Sequence, residues 1–451
     1  MALALSAEPL CLAHVASPAR WWVLLVVTLM NILQSLLWNV FSPISETVKL
    51  TYGWADSDFA WAVNAANVSF MLALVPINKL YDLYGARQTM LLSTASLAFC
   101  GLVRCLPLRG QGFMVLVQLS MLANGITAAW ANIAGPLISD LWFPARERTL
   151  ATAIAVTGPP IGQALGFILG PSLVGHPATA SSGLPAVQRL LWFEASFSLA
   201  VFLAAAIYFP AKPLVPPSES AAIKRHGDAG GYERLLPRSA QACRFWLLNL
   251  CFSLPIGCYQ SWGSVLNLNL AGVQMSPKAV SLLGCWMTLS GAAGSIAVGL
   301  MTKRLLGALK SIILLCAGVS FAGFLFFAAL LTADVPSSFG TLALGSSGIL
   351  GGFGINCMLP LFFELILETV YGFVRDDVAA TTTMLTMSSI QILVLLVPVK
   401  IAGSSLWMNW LMVTSVFLCF FGVSLLRARY SRLAADVGHD IASRCDQSGC
   451  F

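Results

Sequence analysis

The stretch "GPPIGQALGFILG" (residues 158–170) decides the class of fold. Glycine recurs in it at every fourth position and two prolines follow the first glycine, giving the set Gly158, Pro159, Pro160, Gly162, Gly166 and Gly170. In a soluble helix, each interior glycine would cost about 1 kcal/mol and each proline about 3 kcal/mol. A spacing of four places the glycines on one stripe of a helix, and such stripes are typical of helices that pack closely in lipid. We call these four residues the glycine stripe.

The composition supports a membrane protein. Hydrophobic residues make up 58% of the 451 residues and charged residues only 10%, whereas soluble globular chains carry about 25% charged residues. Apolar runs of about 20 residues, the length that an α-helix needs to cross a bilayer, recur along the chain. Because backbone polar groups in lipid need internal partners, only helices and closed barrels span membranes, and these runs are too long for barrel strands. The composition therefore predicts an all-α membrane protein.

We predict twelve transmembrane helices in two halves of six. The spans of the first half are 20–42, 57–78, 88–108, 112–140, 149–174 and 189–209. The spans of the second half are 245–268, 279–301, 311–332, 339–366, 379–402 and 406–426. A polar linker that contains several Pro, Gly, Lys and Arg residues predicts the division into domains. The predicted domains are a cytosolic tail 1–19, an N-terminal bundle 20–209, a cytosolic linker 210–244, a C-terminal bundle 245–426 and a cytosolic tail 427–451.

The basic residues predict that both termini lie in the cytosol. With the N-terminus inside, most Lys and Arg residues fall in cytosolic loops and tails, as the positive-inside rule requires. The exceptions are Lys49, Arg104, Arg109, Arg189, Lys278 and Lys400. This bias accounts for the net charge of +6, so the charge gives no reason to expect binding to nucleic acid.

Several kinds of chemistry have no motif in this sequence. It contains no phosphate-binding loop of the Walker type, no Gly-x-Ser-x-Gly motif and no His-Glu-x-x-His motif. The four histidines lie in predicted tails or loops: His14, His176, His226 and His439. The cysteines have no metal-ligand spacing. We therefore expect no enzyme activity, no metal site and no cofactor.

The glycine stripe of the fifth span has two interpretations. In the first, small residues let two helices pack closely and permanently. In the second, the helix bends or rocks during alternating access, and Pro159 and Pro160 supply the kink. The second interpretation makes the stripe and its prolines candidate conformational residues.

The loop between the second and third spans, "NKLYDLYGARQ" (residues 78–88), resembles the signature loop of the major facilitator superfamily. The matching residues are Leu80, Asp82, Gly85 and Arg87. Glycine permits a tight turn and an aspartate accepts hydrogen bonds at a helix end, so such a loop can favour one conformation over another. The second half has a weaker copy, "KRLLGALK" (residues 303–310), as two homologous halves predict. The segment "GPPIGQALG" is similar to the glycine–proline antiporter motif of that superfamily.

Four further stretches resemble solute carrier family 49. They are "LLWNVFSPI" (36–44), "WFPARERTLATAIA" (142–155), "WGSVLNL" (262–268) and "LPLFFELILETVYG" (359–372). The resemblance covers about residues 20–433 and implies the major facilitator fold of six plus six helices. The candidate conformational residues are then Asp82, Gly85, Arg87 and Arg148, together with Pro159, Pro160 and the glycine stripe.

This resemblance implies a transporter of a small organic solute, since members of the family carry choline, ethanolamine, haem and vitamin B6. Our first expectation is proton-coupled symport of a vitamin B6-like (pyridoxine-like) molecule. Facilitated transport of choline- or ethanolamine-like cations, or of haem, is the alternative within the same class. A transport-inactive receptor or sensor on the same scaffold is the alternative from another class. We expect a monomer in the bilayer of the lysosomal or the plasma membrane.

Polar and aromatic residues on the spans that should line a central cavity are the candidate substrate contacts. They are Trp38, Asn39, Asn132, Tyr259, Gln260, Trp262, Asn267, Asn356 and Gln391. Aromatic faces suit a cation or a pyridine ring, and amides suit hydroxyl groups. By resemblance, Gln391 matches a substrate-contacting glutamine of the choline-carrying relatives, whereas Pro160 replaces its partner glutamine on the fifth span. Packing and interhelical hydrogen bonding are the alternative roles.

Three carboxylates in or near the spans are candidate proton-coupling or gate residues, because charges in a bilayer are costly. Glu364 and Glu368 lie one turn apart at the cytosolic end of the tenth span. They serve as a proton site or gate, or they pair with loop arginines such as Arg146 or Arg148. Glu194 is expected at the outer start of the sixth span, where it binds a cation or proton or extends to the surface.

Overall fold

A computed structural model describes residues 17–175, 179–213, 240–270, 277–305, 308–332, 337–370, 376–396 and 406–426. All regular structure in these ranges is helical, and no strand occurs in them. Most of the predicted linker and nearly all of both predicted tails lie outside these ranges. The all-α class predicted from the sequence is confirmed.

The helices follow one another along the chain as two sets. The first half contains α1 (Ala19–Asn39), α2 (Ser45–Tyr52), α3 (Asp56–Arg104), α4 (Gln111–Trp142), α5 (Ala145–Val174) and α6 (Ala180–Ile207). The second half contains α7 (Ala240–Ser264), α8 (Leu266–Asn269), α9 (Pro277–Leu305), α10 (Leu309–Thr332), α11 (Ser337–Val370), α12 (Asp376–Leu396) and α13 (Leu406–Leu425).

Ten of the described helices are long and apolar enough to cross a bilayer. One of them, α3, has 49 residues and is broken at Gly85, where φ 78° and ψ −177° fall in a region that is essentially restricted to glycine. It therefore contains the second and third predicted spans. The seventh predicted span, α7, is not among the ten, because polar residues such as Asn249 and Gln260 lower its hydropathy. With both segments of α3 and with α7, the described helices account for the twelve predicted spans.

The sixth helix begins at Ala180, not at residue 189 as predicted. Thr179 caps it, because its hydroxyl accepts a hydrogen bond from the backbone N–H of Ser182 at 3.3 Å and its own N–H donates to the hydroxyl of Ser182 at 3.3 Å. Hydropathy located only the apolar part of this helix and missed its polar first turns. Glu194 consequently lies near the middle of α6, and its predicted position at the start of the span is wrong.

The glycine stripe of α5 packs against α1 of the same half. A Cβ on Gly158 would lie 2.8 Å from the Cβ of Asn31, and a Cβ on Gly162 would overlap the carbonyl group of Ile32. The other two glycines of the stripe face α1 and the turn that follows it. Without side chains on this stripe, the two backbones can approach each other closely. This contact lies inside one half, so it does not join the two halves.

Two helix pairs make the main contacts between the halves: α5 packs against α9, and α3 packs against α12. The first segment of α3 makes the second contact, since Nδ2 of Asn78 donates to the hydroxyl of Thr381 at 3.4 Å. About two turns before Asn78 on α3, the sulfur of Met71 lies 3.9 Å from the hydroxyl of Ser389 on α12. In the numbering of the predicted spans, α5 and α9 are the fifth and the eighth. The contacting segment of α3 and α12 are the second and the eleventh. Two halves related by a two-fold axis require this pairing. We call this contact region the seam.

Candidate substrate site at the seam

A pair of glutamine side chains on α7 and α12 is the first part of the candidate site. Nε2 of Gln391 donates a short hydrogen bond to Oε1 of Gln260. Gln391 is buried, whereas Gln260 is exposed. The hydroxyl of Ser261 donates to the backbone carbonyl of Gln391 at 3.3 Å, and the sulfur of Met387 lies 4.0 Å from Nε2 of Gln260. The carboxamide of Gln260 is therefore held in place at the surface of α7.

Tyr259 and Asn356 form the second part of the site. Nδ2 of Asn356 donates to the hydroxyl of Tyr259 at 3.5 Å and to the carbonyl of Gly352 at 2.8 Å. The Tyr259 ring stacks on Trp262, with the ring centroids 6.3 Å apart and the planes 22° apart. The candidate site therefore consists of two hydrogen-bonded pairs, one between α7 and α12 and one between α7 and α11.

Trp262 supports this group from the core of the second half. It is only 2% exposed, and its indole N–H donates to Oδ1 of Asn409 at 2.6 Å. The rings of Phe324 and Phe327 pack edge-on against it, with centroids 6.0 and 5.6 Å away. Trp262 therefore positions the Tyr259 ring, and its polar N–H is already used.

Four predicted contacts lie apart from this group or outside the described side chains. Asn39 and Asn132 each donate a hydrogen bond to the carbonyl four residues earlier in their own helix, at 3.0 and 2.9 Å. Trp38 is half-buried and packs against both large apolar clusters of the protein. Asn267 lies on α8, and its side chain is outside the described part of the structure.

One polar residue at the seam was missed by the sequence analysis. Gln163 is half-buried on α5, and its Nε2 lies 4.0 Å from the position that a Cβ on Gly263 of α7 would take. Gly263 follows Gln260 by three residues, so both face the same side of α7. A signal was present, because Gln163 is the only amide in the stretch 158–170.

A buried ion pair lies in the first half. Nη1 of Arg104 is 3.4 Å from Oε2 of Glu194, and both side chains are fully buried. Nε of Arg104 donates to the hydroxyl of Ser120 at 2.7 Å, and Nη2 donates to the carbonyl of Leu37 at 3.1 Å. The guanidinium also lies 5.1 Å from the ring centroid of Phe41. The expectation that Glu194 extends to the surface is therefore wrong, and Arg104, one of the exceptions to the positive-inside rule, is a buried residue of α3.

The two carboxylates of α11 lie one helical turn apart. Glu364 is half-buried and Glu368 is 3% exposed. Because α11 continues to Val370, both residues lie within the helix. They remain candidate proton-coupling or gate residues.

The candidate conformational loop lies on the cytosolic side of the predicted topology. Asp82 and Arg87 are exposed on either side of the break in α3. The side chain of Arg148 lies outside the described ones, but its neighbour Glu147 forms an ion pair with Arg20 at 3.0 Å. This pair joins the start of α5 to the start of α1.

The short helix α2 follows α1 on the outer side of the predicted topology and packs against α6. Nζ of Lys49 lies 2.8 Å from Asp56 and 3.2 Å from Glu46. Burial lowers the pKa of Lys49, but the hydrogen bonds to these carboxylates raise it more, so its pKa is above the ordinary value. Tyr52 stacks on Phe113 with centroids 3.9 Å apart, and burial raises the pKa of Tyr52 to about 12. Both residues therefore keep one protonation state near neutral pH.

The fold and the paired seam are those of a transporter of the major facilitator class. The model of the Major Facilitator Superfamily matches residues 27–398. The chain is 32% identical over 431 residues to the solute carrier family 49 member 4 homolog of Xenopus laevis, covering 93% of each chain. It is 26% identical over 383 residues to the choline/ethanolamine transporter FLVCR1 of Mus musculus, covering 80% of this chain and 67% of that one. The chain belongs to the major facilitator superfamily and, within it, to solute carrier family 49.

Solved structures agree on the fold. The partially occluded, inward-open xylose transporter XylE from E. coli superposes with a TM-score of 0.71 at 12% identity, over 91% of this chain and 99% of that one. A bacterial homolog of the human lysosomal transporter Spinster gives a TM-score of 0.64 at 14% identity, over 94% and 98%. The predicted fold of six plus six helices is confirmed. The protein is a multi-pass integral membrane transporter and not an enzyme.

Proposed function

We propose that this chain is a proton-coupled transporter of a small, neutral, aromatic solute of the vitamin B6 (pyridoxine) type. One observation supports the proposal: two hydrogen-bonded side-chain pairs, Gln260 with Gln391 and Tyr259 with Asn356, lie on α7, α11 and α12 of the second half. Amides and a phenol both donate and accept hydrogen bonds, as the hydroxyl groups and ring nitrogen of a pyridoxine-like molecule require. The group contains no carboxylate that would favour a cation.

Proton coupling is assigned to Glu364 and Glu368. They lie on α11, the helix that also carries Asn356, which precedes Glu364 by about two turns and Glu368 by about three. A change of charge at these acids can therefore act on the substrate group through one helix. Glu194 has Arg104 as a counter-ion, so its assigned role is to hold the first half together.

The proposed location is the lysosomal membrane, with the plasma membrane as the alternative. An acidic lumen would supply the proton gradient that the assigned carboxylates need. With both termini in the cytosol, symport would carry the solute out of the lumen together with protons. Co-localisation of the tagged full chain with a lysosomal marker tests this location, and a tag confined to the cell surface would contradict it.

Facilitated transport of choline- or ethanolamine-like cations is the second candidate. Gln391 favours it, because this residue matches a substrate-contacting glutamine of choline-carrying relatives. The half-buried ring of Tyr259 also offers an aromatic face to a cation. Pro160 counts against it, because it replaces the partner glutamine on α5.

Uptake of labelled pyridoxine into proteoliposomes, with and without a pH gradient, tests the proposal. We expect uptake that an inward proton gradient stimulates and that excess unlabelled choline leaves unchanged. Uptake that ignores the gradient and is blocked by choline would establish the cation carrier instead. If neither solute nor haem is transported by correctly folded protein, a receptor or sensor on the same scaffold becomes the better assignment.

A further inference from the structure

Gln163 of α5 faces α7 across the seam without a protein partner among the described residues. Its Nε2 lies 4.0 Å from the position of a Cβ on Gly263, and no other described atom outside α7 itself lies within 4 Å of that position. The side chain is half-buried, and no hydrogen bond to it occurs within the described part of the chain. Its carboxamide atoms are not sealed from water, so their donors and acceptor are available to a bound solute.

Gly263 leaves space in front of this amide, and packing does not explain the glycine. At Gly162 or Gly294 a Cβ would overlap the Ile32 carbonyl or the sulfur of Cys357, so those positions are restricted to glycine. A Cβ on Gly263 would lie 4.0 Å from Nε2 of Gln163, which is an ordinary contact distance. The missing side chain therefore opens a gap between α5 and α7.

Gln260 brings a second amide to the same gap. It precedes Gly263 by three residues on α7, so the two residues are neighbours on one face of the helix. Gln260 is exposed, and the hydrogen bond from Gln391 fixes its oxygen. Amides from both halves of the protein thus border one opening.

A tight contact fixes α5 next to this opening. Ring atoms of Phe167, one turn after Gln163, lie 2.8 Å from the position of a Cβ on Gly284 of α9. In the predicted orientation α5 runs outward, so this contact lies on the outer side of Gln163. The amide therefore lies immediately inside a closed part of the seam, where a solute bound between the halves would be shielded from the outer side.

We propose that Gln163 is the substrate ligand that the first half supplies, and that it binds a neutral solute between itself and Gln260. This inference rests on the proposed function, because it adds a contact to the same site. Two amides offer donors and acceptors but no charge, so they suit a solute with hydroxyl groups or a ring nitrogen. A quaternary ammonium can use only the amide oxygens, whereas a neutral solute with hydroxyl groups can use the oxygens and the N–H groups. A solute held from both sides would bridge the halves and couple its binding to their movement.

The test is uptake of labelled pyridoxine by proteoliposomes that contain the full chain or its variants. We expect Gln163→Ala to raise KM about fivefold with a smaller change in maximal rate, since it removes one neutral hydrogen bond. Gly263→Leu should fill the gap and abolish uptake. The matched control is Gln188→Ala, because Gln188 is also half-buried but lies on α6, which packs against helices of the first half.

The outcomes separate this inference from the proposed function. Melting temperatures close to that of the unaltered protein would show that the variants fold. A KM unchanged by Gln163→Ala, or raised equally by Gln188→Ala, would overturn the role of Gln163 and leave the proposed function intact. An absence of pyridoxine uptake by the unaltered protein would overturn the proposed function and, with it, this inference.

Discussion

The guanidinium of Arg104 lies 3.4 Å from the carboxylate of Glu194, and neither side chain is exposed. The pair joins the end of α3 to the middle of α6. Through Ser120 and the carbonyl of Leu37, Arg104 also reaches α4 and α1. One arginine therefore ties together four helices of the first half. Because both charges are removed from water, each depends on the other.

Removing one of these charges should destabilise the protein by about 3–5 kcal/mol, because the remaining charge stays buried without its partner. We expect Glu194→Gln and Arg104→Met each to lower the melting temperature of the detergent-purified protein. The double variant should recover most of the loss, since it leaves no buried charge. Ser120→Ala is the control and should cost only about 1 kcal/mol, the contribution of one hydrogen bond.

A different result would reassign Glu194. If Glu194→Gln folds as stably as the unaltered protein while its transport no longer responds to a pH gradient, Glu194 is a proton site. The structural role proposed for the ion pair would then be wrong. The melting curve and the pH dependence of uptake, measured on the same preparation, distinguish the two roles.

The glycine stripe provides a matched pair of substitutions. A Cβ on Gly162 would overlap the carbonyl group of Ile32, whereas a Cβ on Gly166 would lie 3.6 Å from the nearest atom, the carbonyl oxygen of Leu36. Gly162→Ala should therefore lower stability by about 1–3 kcal/mol, the usual cost of overpacking. Gly166→Ala should be neutral or slightly stabilising, because alanine is the better helix former. Thermal unfolding in detergent measures both.

This pair also decides between the two interpretations of the stripe. If it serves permanent packing of α5 on α1, stability and transport should fall together across the series up to Gly162→Leu. A Gly162 variant that keeps its melting temperature but loses transport would show that this contact must move. The position of the stripe inside one half favours permanent packing.

The contact between Phe167 and Gly284 should act as part of the outer closure of the seam. A side chain at residue 284 would collide with the Phe167 ring, whose atoms lie 2.8 Å from the Cβ position. We expect Gly284→Val to reduce transport at least about tenfold, because the seam could not close on that side. Adding Phe167→Ala should restore a large part of the activity, as residues in direct contact are not additive. Uptake by the single and double variants, with binding of substrate as control, measures the effect.

The sequence predicted the elements whose signals are local. Apolar runs located the spans, and glycine at residue 85 predicted the turn between the second and third spans, because only glycine readily adopts that backbone. The spacing of the stripe predicted a close helix contact, although not its partner. These properties depend on neighbours within a few residues, so one sequence contains them.

The long-range contacts of the buried ion pair and of the candidate site depend on tertiary packing, and the sequence did not reveal them. The hydrogen bond between Arg104 and Glu194 joins residues that are 90 positions apart in the sequence, and no periodic pattern links them. The glycines and apolar residues around Gln163 indicate helix packing, and no local pattern marks this amide as a ligand. Its role emerges only from Gly263, which lies opposite it on another helix. Trp262 is the reverse case. Its residue type predicted a substrate contact, but the side chain packs in the core of the second half.

The carboxylates of α11 are the last test, because the proposed coupling depends on them. A gradient of one pH unit is worth about 1.4 kcal/mol per proton and can support about a tenfold accumulation of solute. Glu364→Gln and Glu368→Gln each remove one titrating group while preserving shape. We expect at least one of them to abolish the accumulation driven by an acidic outer side and to leave the exchange of internal for external solute intact. Glu46→Gln, in the exposed part of α2, is the control and should keep the full response. Retention of gradient-driven accumulation by both α11 variants would show that the proton binds elsewhere, and loss of exchange in both would point to a structural role.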